Sequence, residues 1–221
     1  MYFKDRLSAG GQLVPKLSKY RSDNCSIVAL SPGAVLVGVP IAEQLHSNLI
    51  LLLAEDIDIP GEPTPLAAVT SDDSFTYNPL FSIGEIEEFN MEYFNLIQQE
   101  RMNQLHNLHL ILGKHGEINK SMLRHHVVIL ISDGLNNGFS INIAKNFLTS
   151  VAIKKMVSIA PFSTYDAFDK MEQASDEAVV LNMVDNFLGV DHYYDDNNIP
   201  DVNTLLDISD EIALLWKHPK T

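Results

Sequence analysis

Short apolar runs recur along the chain and alternate with stretches whose apolar residues are three or four positions apart. Nearly continuous apolar character is typical of strands that are covered on both faces of a parallel sheet. Five runs have it: residues 26–30 (SIVAL), 49–54 (LILLLA), 127–131 (VVILI), 156–160 (MVSIA) and 178–181 (AVVL). Helical spacing follows at residues 40–47, 140–151 and 166–173. This alternation predicts an α/β fold with a doubly wound, mainly parallel sheet and right-handed crossovers.

One segment interrupts the alternation between the second and third predicted strands. Residues 67–78 (AAVTSDDSFTYN) predict a hairpin with its turn near residues 72–74. A long helix is predicted from residue 83 to residue 108, with one apolar stripe made of Ile86, Phe89, Tyr93 and Leu96. We therefore expect one domain over residues 1–221, with a hairpin-plus-helix insertion at residues 65–120 that covers the ligand edge of the sheet.

The end of the chain predicts one more helix, over residues 201–216. Its apolar residues repeat at helical spacing and are expected to face inward. They are Val202, Leu205, Leu206, Ile212 and Leu215.

Composition and charge exclude some classes of partner. The 15 Lys and Arg residues stand against 29 Asp and Glu residues, for a formal net charge of −14. A surface that grips nucleic acid needs clustered basic residues, so we expect no nucleic-acid partner. The first residues lack the apolar core of a signal peptide, and no apolar run is long enough to cross a bilayer. With a single cysteine, the chain is expected to be a soluble, cytoplasmic protein with no membrane partner.

Several histidines are close together in the sequence and suggest a metal site. His106, His109 and His115 are followed by the pair His125 and His126. No cysteine is near them, and their spacing matches no known zinc pattern. Ordinary helix-end and surface histidines are therefore expected.

Residues 127–147 (VVILISDGLNNGFSINIAKNF) contain the most informative turn. Ser132 and Asp133 follow a buried strand, at the edge where doubly wound folds bind ligands. Gly134 and Gly138 permit a tight turn, and the N–H groups of residues 137–141 begin a helix, which favours an anion. Asn137 or Ser140 would cap that helix or bond a phosphate. A strand-to-helix turn without a ligand is the alternative interpretation, and this pattern alone does not decide between the two.

The segment VILISDGLNNGFSI resembles the phosphoribosyl-diphosphate (PRPP) binding signature of type I phosphoribosyltransferases. That resemblance implies that Asp133 is the catalytic carboxylate, that it contacts the ribose hydroxyls with Ser132, and that it binds Mg²⁺. Two departures from the signature are Ser132, in place of an acidic residue, and Asn137, in place of a threonine. The resemblance also implies a loop around the 5′-phosphate, formed by Gly134, Asn136, Asn137, Gly138, Phe139 and Ser140.

The resemblance extends over most of the chain. Residues 3–20 resemble the family's opening, residues 29–38 its first strand and loop, and residues 189–201 its segment on the side of the base. It implies that Ser31, Pro32, Gly33 and Ala34 form the loop that binds pyrophosphate. This loop has no arginine, and Glu55 and Asp56 stand where active relatives have an Arg-Lys pair. Two anions in place of two cations reverse the local electrostatics beside a pyrophosphate.

Three functions remain open from the sequence. The first is a phosphoribosyltransferase that transfers 5-phosphoribose from PRPP to an unidentified acceptor, with Mg²⁺ as cofactor. The second is a catalytically inactive protein of this fold that binds a nucleoside monophosphate or a sugar phosphate as a sensor or regulator. The third is an interaction protein with a vestigial pocket. Members of the family often pair, so we expect a homodimer in each case.

Overall fold

The computed structural model describes residues 2–113 and 118–216. Its centre is a five-stranded parallel sheet with the spatial order β2-β1-β6-β7-β8. The strands are β1 (Cys25–Ala29), β2 (Asn48–Leu51), β6 (Val127–Ile131), β7 (Lys155–Thr164) and β8 (Glu177–Val184). The helices around them are α1 (Arg6–Leu13), α2 (Pro32–Leu45), α5 (Phe139–Leu148), α6 (Tyr165–Ala174) and α7 (Val202–Trp216). The fold is therefore the predicted α/β arrangement with a mainly parallel, doubly wound sheet.

The two faces of this sheet bury alternate residues of the same strands. Ile27 and Ile129 point into a core shared with α1, α2 and α7. Val28 and Val128 point into a second core shared with α5 and α6. Because successive side chains of a strand lie on opposite faces, a strand covered on both sides must be apolar throughout. This is the physical reason why the run VVILI predicted β6 with its observed bounds.

A second, antiparallel sheet forms the insertion. Its strands, in the order β3-β4-β5, are β3 (Ala54–Ile57), β4 (Ala67–Thr70) and β5 (Phe75–Tyr77). The hairpin predicted over residues 67–78 is confirmed, with Asp73 in its turn at a φ of 62°. The strand predicted over residues 49–54 is wrong at its end, because Ala54 starts β3 in the other sheet. The second sheet thus begins before the predicted start of the insertion at residue 65.

The predicted long helix is two helices, α3 (Ile83–Glu92) and α4 (Phe94–Leu112). They meet at Tyr93, which has φ −111° and ψ 19°. Ile86, Phe89 and Tyr93 of the predicted apolar stripe pack on the second sheet. Ile97 is buried at 1% exposure, whereas the predicted Leu96 is only half-buried.

Two further helix predictions differ from the structure. The helix predicted to start at Pro40 starts at Pro32, and Pro40 lies inside it. Proline is favoured in the first turn of a helix, and two prolines eight positions apart offer two possible starts. In α7, Leu205, Leu206 and Ile212 are buried, but Leu215 is 61% exposed and does not face inward.

Within the described part of the chain, none of the helices combines the length and the apolar character that crossing a membrane requires.

The amino ends of β7 and β8 are tied to the segment that follows α1. Glu177 accepts hydrogen bonds from the Tyr20 hydroxyl at 2.6 Å and from Lys155 at 3.0 Å. Lys19 contacts its other carboxylate oxygen at 2.6 Å. Burial alone would raise the pKa of Glu177, but these three donors outweigh it and lower the pKa to about 2 from 4.5. The Glu177 carboxylate is therefore stabilised in its charged form by the native contacts.

The contact of α1 with α2 leads to a first prediction. A Cβ on Gly10 would lie 2.1 Å from the Val37 carbonyl oxygen, whereas one on Gly11 would meet nothing within 4 Å. We expect Gly10→Ala to lower the free energy of unfolding by about 1–3 kcal/mol, because it forces the helices apart. The matched change Gly11→Ala should raise it by about 0.5–1 kcal/mol through helix propensity. Urea unfolding measures both, and equal effects of the two changes would contradict the close approach.

The second prediction concerns the stability of the protein at acidic pH. Because the pKa of Glu177 is lower in the folded protein, its stabilising effect is complete above pH 4.5 and is lost as the pH falls from 4.5 towards 2. Glu177→Gln should therefore flatten the dependence of the unfolding free energy on pH within this window. Urea melts between pH 2 and pH 7 test this, with Glu43→Gln on α2 as the control. An unchanged pH dependence in Glu177→Gln would contradict the assignment.

Candidate functional site

The candidate site lies where β1 and β6 end, and a buried arginine closes it. Arg6 is the first residue of α1, which Asp5 caps by accepting a hydrogen bond from the Ser8 N–H at 2.6 Å. Its side chain lies on the same helix face as Ala9, Gly10 and Leu13, and it is only 2% exposed. A charge removed from water in this way requires partners of opposite charge or full hydrogen bonding.

Asp133 is the principal partner of Arg6. Its carboxylate oxygen Oδ2 accepts a hydrogen bond from Arg6 Nε at 2.8 Å. Its other oxygen, Oδ1, accepts one from the Ser31 hydroxyl at 2.7 Å. A Cβ on Gly33 would lie 2.0 Å from Oδ2, so the absence of a side chain there lets the pair form. Both oxygens of the predicted catalytic carboxylate are thus occupied by groups of the chain itself.

The segment after β8 completes the surroundings of the arginine. Arg6 Nη2 contacts Asp191 at 2.6 Å, and Nη1 donates to the Asn197 side-chain oxygen at 3.3 Å. The guanidinium carbon lies 4.5 Å from the centre of the Tyr194 ring, whose hydroxyl donates to the Asp133 carbonyl at 2.6 Å. Burial alone would lower the pKa of Arg6, but the hydrogen bonds to Asp133 and Asp191 outweigh it and raise the pKa. The arginine is therefore a permanent cation inside the site.

Tyr194 also belongs to an aromatic cluster and lies in the segment that the resemblance places on the side of the base. Phe162 and Tyr193 lie with ring centres 4.3 Å apart, and Phe3 lies beside both Phe162 and Tyr194. Burial, followed by the charge of Asp133, raises the pKa of Tyr194. These aromatic rings are all buried and belong to the interior of the protein.

The predicted phosphate turn is held in place by β7. The Leu135 N–H donates to the Phe162 carbonyl at 3.1 Å, and the Thr164 hydroxyl donates to the Asn136 carbonyl at 2.6 Å. Ser132 donates its hydroxyl to the Gly134 carbonyl at 2.9 Å, within the turn. A Cβ on Gly134 would lie 2.4 Å from the Phe162 ring, which is why this position has no side chain.

The turn ends at the amino end of α5. Gly138 is the residue immediately before α5 and has a φ of 72°. As a glycine it has no side chain that could cap the helix. Asn137 performs part of the predicted capping, since its side-chain oxygen accepts from the Phe139 N–H at 3.1 Å. Ser140 does not cap the helix but lines a small pocket. The Phe139 ring is buried with Ala68 and Ile143. Its part in the predicted phosphate loop stays a prediction.

The small pocket beside Ser140 lies between the ends of β1 and β2 and the start of α5. Four apolar side chains complete its lining: Leu30, Leu52, Ala54 and Ile143. The edge of the sheet is therefore apolar at this point.

Ser31, Pro32, Gly33 and Ala34 do not form the predicted loop. Ser31 caps α2 by accepting from the Ala34 N–H at 3.0 Å, and the helix begins at Pro32. Proline at the first helical position and serine just before it are preferred at helix starts, which explains the difference. Whether these residues bind pyrophosphate stays a prediction.

Glu55 and Asp56 lie on β3 and not in a loop. Partial burial, then Asp58 and Glu55, raise the pKa of Asp56. Negative charges on this strand would disfavour a pyrophosphate beside it.

The arrangement around Asp133 does not fit a Mg²⁺ ion. Mg²⁺ needs near-octahedral coordination by oxygens. Each oxygen of Asp133 already accepts one hydrogen bond, and the Arg6 guanidinium lies 2.8 Å from Oδ2, so its charge would repel a second cation there. A Mg²⁺ ion at this carboxylate would therefore compete with Arg6.

The histidines do not converge in the described part of the chain. His109 bonds the Ser71 carbonyl at 2.9 Å, and His126 bonds the Ser26 hydroxyl at 2.8 Å. His115 lies outside the described residues. Across residues 2–113 and 118–216, no three His, Cys, Asp or Glu side chains are grouped so as to hold a metal ion.

Proteins of known structure share this fold. TT1426 from Thermus thermophilus aligns over 99% of this chain and 100% of its own, with a TM-score of 0.69 and 21% identity. A hypothetical protein from Neisseria gonorrhoeae with bound ppGpp aligns over 96% of both chains, with a TM-score of 0.51 and 8% identity. A hypoxanthine phosphoribosyltransferase from Staphylococcus aureus aligns over 83% of this chain and 75% of its own, with a TM-score of 0.47 and 12% identity.

The chain shares its fold with TT1426 and with the Neisseria gonorrhoeae protein. At these identities the likeness describes the fold alone. No family model and no curated protein matches the sequence.

Sequence reasoning missed Arg6 as a site residue, although a signal was present. Arg6, Ala9, Gly10 and Leu13 have the i, i+3, i+4, i+7 spacing of a buried helix face. An arginine within such a stripe indicates a buried charge and therefore a carboxylate partner. The sequence around Asp191 suggests only surface charge beside a packed tyrosine, and its contact with Arg6 has no local signal.

The third prediction tests the Arg6–Asp133 pair. Arg6→Met should lower the free energy of unfolding by about 3–5 kcal/mol, because it leaves Asp133 buried without its cation. Asp133→Asn added to Arg6→Met should recover part of that loss. The exposed pair Lys154–Asp23, at 2.5 Å, is the control, and its removal should cost less than about 1 kcal/mol. Additive effects at Arg6 and Asp133 in urea unfolding would contradict a coupled buried pair.

Proposed function

We propose that this chain is a catalytically inactive phosphoribosyltransferase-like protein that binds the phosphate of a nucleotide or sugar phosphate as a sensor or regulator. The observation that carries this proposal is the buried pair of Arg6 and Asp133. The resemblance assigns Asp133 to the ribose hydroxyls and to Mg²⁺, but its carboxylate accepts from Arg6 and from Ser31 instead. Transfer of 5-phosphoribose relies on that carboxylate to position the sugar.

The phosphate turn keeps the features that an anion requires. Gly138 adopts a φ of 72° immediately before α5, and α5 directs the positive end of its dipole towards the turn. Asn136 and Asn137 are exposed, so the turn is accessible from solvent. Backbone N–H groups can hold a phosphate without Mg²⁺. The Phe139, Ile141 and Asn142 N–H groups already donate within the turn, so the proposed binding relies on its other N–H groups.

The ligand class follows from what the site keeps and what it has lost. Glu55 and Asp56 disfavour a pyrophosphate group on the side of β3, so a ligand with its phosphate at the turn alone is favoured. The Neisseria gonorrhoeae protein of similar fold contains ppGpp, which supports a nucleotide as the ligand class, although ppGpp itself carries diphosphate groups. Transfer from PRPP to an unidentified acceptor, with Mg²⁺, stays the second candidate and rests on the resemblance.

The fourth prediction distinguishes these functions by calorimetry. AMP and ribose 5-phosphate should bind with affinities that do not depend on Mg²⁺, and PRPP mixed with purine or pyrimidine bases should release no pyrophosphate. Gly138→Ala should weaken binding of AMP at least about tenfold, since it strains the turn. Gly61→Ala is the matched control, because Gly61 has a φ of 90° in open space away from the turn.

Asp133→Asn separates the two candidates further. It should leave AMP affinity within about threefold of the unchanged protein if the carboxylate serves only the ion pair, a difference below about 1 kcal/mol. Mg²⁺-dependent binding of PRPP with release of pyrophosphate, lost in Asp133→Asn, would establish the transferase instead. Absence of binding by AMP, ribose 5-phosphate and PRPP would overturn both functions.

A further inference from the structure

The helices of the insertion have one face packed and another open. Ile97 and Leu108 of α4 are buried against the second sheet, at 1% and 0% exposure. Ile86 and Phe89 of α3 are only partly buried there, and no residue of α3 is fully buried. A ten-residue helix is marginal by itself and depends on packing for its stability. α3 therefore obtains little of that packing from the rest of the chain.

The open face carries large apolar side chains. Ile83 is 78% exposed, Met91 83%, Phe94 58% and Met102 64%. Ile83 and Met91 are eight residues apart, and so are Phe94 and Met102. Because residues four apart are neighbours on a helix surface, each pair lies along one side of its helix. We call these four residues the insertion surface.

The surface continues across the junction of the two helices. The Tyr93 N–H donates to the Phe89 carbonyl at 2.8 Å, and the Ile97 N–H donates to the Tyr93 carbonyl at 2.9 Å. Hydrogen bonds of helical spacing thus lead into and out of the junction, with Met91 and Phe94 on either side of it. Clustered methionine and aromatic side chains are typical of surfaces that accept another helix.

Carboxylates surround the insertion surface. Glu85, Glu87, Glu88 and Glu92 are exposed on α3, and Glu87 lies midway between Ile83 and Met91. The one arginine of α3 and α4, Arg101, contacts Asp73 at 2.8 Å and does not neutralise them. Two copies that paired through this surface would bring like charges together, which disfavours a second copy of this chain.

We propose that the insertion surface docks a basic, amphipathic helix of a partner protein. The apolar side of that helix would cover Ile83, Met91, Phe94 and Met102. Its lysines and arginines would face the surrounding glutamates, and this charge complementarity would select it over neutral or acidic helices. The insertion surface contains no residue of the phosphate turn, so the docking and the ligand binding can be measured separately.

The fifth prediction uses a labelled helical peptide of about 18 residues, built from leucine and lysine with one apolar face. Fluorescence anisotropy should show one peptide bound per chain, with affinity falling at high salt. Met91→Asp combined with Phe94→Asp should weaken binding at least about tenfold, or about 1.4 kcal/mol. Leu214→Asp on α7, a residue 62% exposed, is the matched control and should leave binding unchanged.

Three outcomes would overturn the proposal. The first is no binding of the peptide, and the second is binding that survives Met91→Asp with Phe94→Asp. The third is a dimer in sedimentation velocity that these two changes dissociate, which would make a second copy the occupant. A peptide of the same length with glutamate in place of lysine should not bind. AMP titrated into the peptide complex should bind as it does to the free protein, which separates this proposal from the proposed function.

Discussion

The buried charge of Arg6 is the constraint on which the rest of the site depends. A guanidinium at 2% exposure is tolerated only because Asp133, Asp191, Asn197 and the Tyr194 ring surround it. Two neighbouring residues support the pair of Arg6 and Asp133. Ser31 donates a further hydrogen bond to Asp133, and Gly33 has no side chain and so leaves room for the pair. The edge of the sheet where a ligand would be expected is thus organised around an internal cation.

Under the proposed function, this internal cation assigns Asp133 to the stability of the fold. Its two carboxylate oxygens accept hydrogen bonds from Arg6 and from Ser31. Stability and activity often make competing demands on the same residue. The proposed phosphate binding relies on the backbone of the turn and not on this carboxylate.

The parts of the fold that the sequence predicted are those with a local signal. The run VVILI is apolar at every position because both faces of β6 are covered, and the hairpin turn at Asp73 needs residues that tolerate a positive φ. β3 was missed because a four-residue strand with Glu55 and Asp56 resembles an acidic loop. The position of Asp133 at the edge of the sheet was predictable from the strand before it. Its pairing was not, because Arg6 is 127 residues away in sequence.

The contacts of Arg6 have a consequence for how the protein acquires its shape. Arg6 and Asp191 are separated by 185 residues, and the Phe3 N–H bonds the Tyr193 carbonyl at 2.9 Å. Contacts of such long separation form late, after the more local strand and helix pairings. A chain emerging from the ribosome contains the Asp133 partner of Arg6 before it contains Asp191 and Asn197. A nascent chain halted before residue 191 therefore lacks part of the compensation of a buried charge, and it would be a natural substrate for chaperones.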